Sequence, residues 1–168
     1  MTVLEVLRPA RKRRQTRTRR GAGRGGWIIS RMTGDRVNYT LDSTLDSVNV
    51  AEQRAEEFAA KAGFDEENCQ RIAMSVREAA VNAVLHGNAY DPKKKVIVSY
   101  ETNGEALVIR IADQGNGLNP ETVPDPLAPE NLLKQSGRGI FLIRAFMDEV
   151  RFRDLSPGTE IKIGRAHV

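Results

Sequence analysis

Glu78-Ala-Ala-Val-Asn82-Ala-Val-Leu-His86-Gly87, then Asp113-Gln-Gly-Asn-Gly117, then Gly137-Arg-Gly-Ile140: these three stretches, in this order, carry the reading of the 168-residue chain. Any one alone is a weak signal, because glycine clusters occur in many loops. A helix with a possible metal ligand, followed by two glycine boxes around a proline-rich stretch, suits a nucleotide pocket closed by a lid.

The first stretch reads as the end of a helix that starts at Asp65 and runs to about His86, with Gly87 at the C-terminal cap position. Its buried face is expected to be Ile72, Ala73, Val76, Ala79, Ala80, Ala83 and Val84. Positions four apart on an α-helix drift by only about 40° around the axis. Glu78, Asn82 and His86 therefore line one polar stripe beside that face. Taken alone, the stripe reads first as the wet side of an amphipathic helix. With the two glycine boxes behind it, a chemical role becomes the better reading. Magnesium takes oxygen ligands and keeps several waters while gripping phosphates, so the amide oxygen of Asn82 is an adequate protein contribution. Glu78, one turn earlier, suits a base that orients and deprotonates the group attacking a terminal phosphate. His86, at the helix end, is better suited to capping the last turn than to catalysis.

Asp113 directly follows the apolar run Ala106-Leu-Val-Ile-Arg-Ile111, which reads as a strand. A carboxylate held there accepts a hydrogen bond from an adenine amino group but not from a guanine oxygen, a preference for ATP over GTP. Gly115 and Gly117 let the backbone approach the nucleotide and give the next loop a hinge. A plain strand-end turn is the competing account of this segment. Gly137, Arg138 and Gly139 open the helix beginning near Ile140, which aims free amides at phosphate oxygens. Arg138 adds a charge to that cradle or points to solvent. Thr159, at the head of the last strand, is a minor candidate for a hydrogen bond near the base. The chain has neither a Gly-X-X-X-X-Gly-Lys-Ser/Thr loop nor the His-Arg-Asp and Asp-Phe-Gly pair of protein kinases.

Around these stretches the pattern alternates between α and β. Val37, Tyr39 and Leu41 alternate with polar residues as an edge strand, and Ser47 is placed to cap a helix reaching about Lys61. That helix presents Val48, Ala51, Ala55, Phe58 and Ala59, and Gly63 stops it. Asp91-Pro92 makes a turn before the strand Val96 to Tyr100, and residues 102–105 join it as a hairpin to the strand before Asp113. Both strands should be central. Residues 118–136 hold four of the seven prolines, which disfavours continuous regular structure. The apolar helix from Ile140 to about Met147 leads into a strand Glu149 to Arg153 and, past Ser156-Pro157-Gly158, into a last strand Glu160 to Ile163.

A chain of this length, with 40% hydrophobic and 29% charged residues, has room for one ordinary soluble domain. The net charge of +4 is unevenly spread. Residues 1–31 hold ten Lys or Arg against one acid, about +9, which leaves residues 32–168 with 16 basic and 21 acidic residues, or −5. A nucleic-acid footprint is therefore expected only through that arm. Residues 8–26 are mostly Arg and Gly with little to bury, so residues 1–31 are expected to be a disordered basic tail ahead of a domain at 32–168. The tail reads as a solvated leader, a nucleic-acid or acidic-partner arm, or a targeting sequence, and Met32 offers an alternative translation start. Cys69 is the single cysteine, which forbids an internal disulfide and fits a reducing cytoplasm. No apolar run approaches the roughly 20 residues of a membrane helix, and the start lacks both a secretory and a twin-arginine signal.

The segment Glu78 to Gly87, the Asp113 to Gly117 box, and Ser136-Gly-Arg-Gly-Ile-Phe-Leu-Ile-Arg144 followed by Phe146-Met-Asp-Glu-Val150 together resemble the Bergerat or GHKL ATP-binding domain. That domain is shared by histidine kinases, gyrase-type ATPases and the Hsp90 chaperone. Within it the chain is most similar to the bacterial anti-sigma-factor serine/threonine kinases, over roughly Val37 to Ile163. The resemblance implies a two-layer α/β sandwich, with a mixed, mostly antiparallel sheet and helices on one face. It also implies ATP and Mg2+ between helix and lid, and a cytoplasmic homodimer. Such a protein sequesters a sigma factor and phosphorylates an anti-sigma-factor antagonist. On this pattern Asn82 holds magnesium, Glu78 is the base, Asp113 contacts adenine, and Gly115, Gly117, Gly137 and Gly139 face the nucleotide. The basic tail has no counterpart in the pattern, and Gln135 stands where some relatives carry a lid arginine.

Two other readings compete. A histidine-kinase catalytic module needs a dimerising hairpin with an acceptor histidine upstream, and His86 and His167 are both poorly placed for that role. A non-catalytic, ATP-gated binding switch needs the pocket but not the base.

Overall fold

The structure is a computed structural model that describes residues 36–116 and 138–167. The basic tail and the proline-rich stretch 118–136, with Gly117 and Gly137, lie outside the described residues, as does the side chain of Arg138.

The element order is β1 (Arg36–Asp42), α1 (Leu45–Lys61), α2 (Glu66–Val81), a π-helical turn (Asn82–Gly87), β2 (Lys95–Thr102), β3 (Ala106–Ala112), α3 (Arg138–Phe146), β4 (Glu149–Asp154) and β5 (Thr159–Ala166). The strands form one sheet in the order β1-β2-β3-β5-β4, and all four pairings are antiparallel. β1 is an edge, as its alternating pattern predicts, and β3 is central.

Side chains alternate across a strand. Leu107, Ile109 and Ile111 of β3 are buried with Val96, Val98 and Tyr100 of β2 and Ile161 and Ile163 of β5. Their intervening neighbours Glu101, Arg110, Lys162 and Glu160 form cross-strand ion pairs on the other face, among them Arg110 with Glu101 at 3.0 Å. The apolar face joins one core with the stripes of α1, α2 and α3, so the helices cover a single face of the sheet. The seven residues expected on the buried face of α2 and its continuation are all buried.

Tyr100 sets the depth of this core. Its ring stacks on Phe58 at 4.9 Å, meets Tyr39 edge-on at 5.8 Å, and its hydroxyl donates to the Ala51 carbonyl at 2.6 Å. A buried tyrosine needs such a partner. Burial also pushes the Tyr100 hydroxyl far above its ordinary pKa.

Two helix boundaries differ from expectation. α1 is capped by Thr44, whose hydroxyl accepts from the Ser47 N–H at 3.2 Å, and Ser47 itself is buried in the first turn. The residue with extended backbone takes the capping role, and the serine three positions later supplies the amide. α1 stops as expected at Gly63: φ is +89°, the Gly63 N–H donates to Ala60, and the Phe64 N–H donates to Ala59. Asp65 caps α2 through the Asn68 N–H at 2.8 Å. The α-helix then ends at Val81, not near His86, and continues as a π turn. The Asn88 N–H reaches back five residues to Ala83, and the Tyr90 N–H six residues to Val84.

Candidate functional site

Asp113 is the meeting point of three chain segments. It follows β3, is 9% exposed, and its backbone N–H donates to the Thr159 carbonyl at 3.0 Å. Its Oδ1 accepts from the N–H of Gly115 at 2.9 Å and of Thr159 at 3.2 Å. Two amides thus occupy one carboxylate oxygen and fix the direction of the other. Burial raises the Asp113 pKa above the ordinary carboxylate value, opposed by those two hydrogen bonds and by the charge of Lys94.

The backbone packs around this acid too tightly for side chains. A Cβ on Gly87 would overlap the Asp113 carboxylate, one on Gly115 would overlap the Gly87 carbonyl, and one on Gly158 would overlap the Asp113 carbonyl. Gly158 also has φ of +99°, which a residue with a side chain rarely adopts. The turn before β5, with its cis Ser156–Pro157 bond, is therefore built into the site, an involvement that sequence reasoning missed.

The second glycine box meets the helix further along. A Cβ on Gly139 would stand 2.8 Å from Glu78 Oε2 and 3.7 Å from Asn82 Nδ2. Glu78 and Asn82 are half-buried, and among the described residues neither side chain has a hydrogen-bond or ion-pair partner. Gly139 lies in the first turn of α3, so the start of that helix faces this carboxylate–amide pair. Glu78 and Gly87 are nine residues apart along α2 and the π turn, so the pair beside Gly139 and the acid at Asp113 meet successive parts of one continuous helical segment.

The structure brings Glu78 and Asn82 together with Gly139, and Asp113 together with Gly115 and Thr159. His86 is the member of the expected stripe that departs from it. It is exposed in the π turn, where more residues per turn replace the 40° drift. Only the second step of the expected spacing is affected.

Asn88, absent from the sequence reading, is the most connected polar side chain near the site. It is fully buried, donating from Nδ2 to the Ser43 hydroxyl at 2.9 Å and the Lys95 carbonyl at 3.0 Å, and accepting the Gln114 N–H at 2.8 Å. A signal was available in the sequence: an asparagine directly after a helix-ending glycine favours local backbone bonding. Its tertiary partners were not legible there.

Among the described residues no group of three or more His, Cys, Asp or Glu could hold a metal ion. The chemistry of Asn82 and Glu78, one amide and one carboxylate, fits magnesium, a hard ion that keeps most of its waters.

A fold of this topology with a strand-end acid facing a glycine-ended helix defines a class of nucleotide-binding domain. A family model described as histidine kinase-like ATPase domain matches residues 41–164, and the chain belongs to that family. Within it, the chain is similar to proteins named serine-protein kinase RsbW and anti-sigma F factor. It is 25% identical over 123 residues to the serine-protein kinase RsbW of Listeria innocua, covering 70% of this chain and 78% of that protein. It is 35% identical over 97 residues to the anti-sigma F factor of Anoxybacillus flavithermus, covering 55% and 65%. The crystal structure of the RsbU and RsbW domains of a Mycobacterium tuberculosis protein matches with a TM-score of 0.58 at 21% identity. That match covers 78% of this chain but only 32% of the other, about a third of its length, and it supports the fold alone. Among the described residues, no helix is long and apolar enough to cross a membrane.

Proposed function

We propose that this protein binds ATP with magnesium and acts as a cytoplasmic serine/threonine protein kinase and anti-sigma factor. It sequesters a sigma factor and phosphorylates an anti-sigma-factor antagonist, as a homodimer with residues 1–31 appended to a kinase domain at 32–168. Kinship with RsbW-type proteins supports the regulatory and kinase parts of this reading. The observation that carries it is the pairing of Gly139 with Glu78 and Asn82 at one end of the site and Gly87 with Asp113 at the other.

In this reading the free oxygen of Asp113 accepts the adenine amino N–H, and guanine, with an oxygen at that position, is excluded. Gly115 and Gly117 leave room for the nucleotide, while Thr159 keeps Asp113 aimed. Gly139 lies in the first turn of α3, whose free amides and positive dipole end suit the phosphates, and Gly137 and Arg138 complete the phosphate-facing glycine box of the sequence. Asn82 contributes an oxygen to bound magnesium, which neutralises charge on the phosphates. Glu78 takes the proton of the acceptor hydroxyl as its oxygen bonds to the terminal phosphorus. The bond from that phosphorus to the bridging oxygen breaks, and ADP leaves.

The test is ATP binding by calorimetry with and without magnesium, on the wild type and Asn82→Ala, followed by transfer of labelled phosphate to a purified antagonist. Magnesium should strengthen wild-type binding at least about tenfold, a loss of about 1.4 kcal/mol when Asn82 is removed. Equal affinity in both chains, with or without the ion, overturns the metal assignment. Binding without any transfer leaves an ATP-gated switch in place of a kinase.

A further inference from the structure

We propose that Asn88 is the positioning residue for base recognition, holding the Asp113–Gly115 turn in register with Gly87 so that Asp113 presents one free oxygen to the adenine ring. This rests on the reading of the site as an ATP site.

Four pieces of chain converge on this side chain. Asn88 follows Gly87, so its own position fixes the glycine that lies against Asp113. Its Oδ1 accepts the N–H of Gln114, the residue between Asp113 and Gly115. Its Nδ2 reaches the Ser43 hydroxyl, at the junction of β1 and α1, and the Lys95 carbonyl that opens β2. Ser43 in turn donates to the Lys94 carbonyl at 2.6 Å, and the Lys95 N–H donates to Gln114 Oε1 at 2.6 Å. Asn88 therefore ties the end of the helix and the turn bearing the acid to the same two elements.

The backbone beside it is strained in a way that needs such an anchor. Ala89 and Tyr90 both have positive φ, 49° and 57°, and both are exposed. Residues without glycine's freedom persist there only when the surroundings over-determine them, and such strain gathers at functional sites. The preceding π turn is a second departure from regular helix. Asn88, fully buried and with both ends of its amide hydrogen-bonded, is the element that fixes both irregularities to the sheet.

The Asn88 side chain bonds to Ser43, Lys95 and Gln114, not to the Glu78 and Asn82 pair or Gly139, so its influence should fall on base choice and spare the phosphate end. The experiment measures affinities of the full chain for ATP, GTP and inorganic triphosphate, each with magnesium, in the wild type and Asn88→Ala. The expected result is a wild type that prefers ATP. In Asn88→Ala the ATP-to-GTP preference falls at least about tenfold while triphosphate affinity stays within about twofold. A parallel loss for all three ligands with the preference unchanged shows a merely structural role and overturns the proposal. A wild type that binds ATP no better than GTP overturns the reading of Asp113 itself, and this inference with it. Should Asn88→Ala fail to fold, Ser43→Ala removes a single partner of the amide. Its preference should fall two- to threefold, and an unchanged value overturns the proposal.

Discussion

The Asp113 carboxylate lies against the bare Cα of Gly87, where an added methyl group would stand 2.9 Å from Asp113 Cβ and overlap the carboxylate itself. The strand-end acid and the helix end are thus in contact through an atom that one residue lacks. Gly87→Ala forces them apart. Overpacking of this kind costs about 1–3 kcal/mol of stability. ATP affinity should fall at least about tenfold, and thermal melting together with calorimetry on the same sample checks both.

Asp113→Asn should separate stability from recognition. The asparagine oxygen still accepts from Gly115 and Thr159, so the fold persists, but an amide N–H replaces the oxygen offered to adenine. Burial raises the pKa of Asp113 in the folded chain, so the folded state favours the protonated acid. Wild-type stability from this group is fully present below the ordinary carboxylate pKa and is lost as pH rises through the raised folded value. The variant lacks that loss. Its melting temperature at neutral pH should equal or exceed that of the wild type while ATP binding disappears. In the wild type, ATP binding should weaken as pH falls through the raised value, and titrations across that range read this directly.

Glu78→Gln should leave ATP affinity within a few-fold and lower phosphate transfer by about 10²- to 10⁴-fold, the usual contribution of a general base. Single-turnover transfer from labelled ATP measures it. Transfer at the wild-type rate would assign the base elsewhere.

Thr44→Ala should destabilise the chain by about 1 kcal/mol through loss of the α1 cap, with nucleotide affinity unaffected. Urea unfolding measures the difference. A null effect would return the cap to Ser47, the position that periodicity favoured.

Much of the architecture was written in local pattern. Alternation in Val37, Tyr39 and Leu41 marked an edge strand, and the Ile72 to Val84 stripe marked the buried side of α2, because strand and helix periods follow from backbone geometry that each residue reads from near neighbours. The order of the three glycine-bearing stretches likewise pointed to the family that residues 41–164 match. Local pattern failed where a long-range partner outweighed it. Nothing within a few residues of Val81 announces the π turn, whose register lets Gly87 reach Asp113, 26 positions away. Asn88 stood out in no local pattern; only Ser43, 45 positions earlier, and Gln114, 26 positions later, closing around it show its place. Gly158 read as ordinary turn chemistry, yet its missing side chain makes room for the Asp113 carbonyl. Residue types and their spacing named the groups proposed here to meet a nucleotide. Folding alone settled which oxygen of Asp113 carries no amide, because the two amides on the other come from segments 44 residues apart that meet at one end of the β3–β5 pairing.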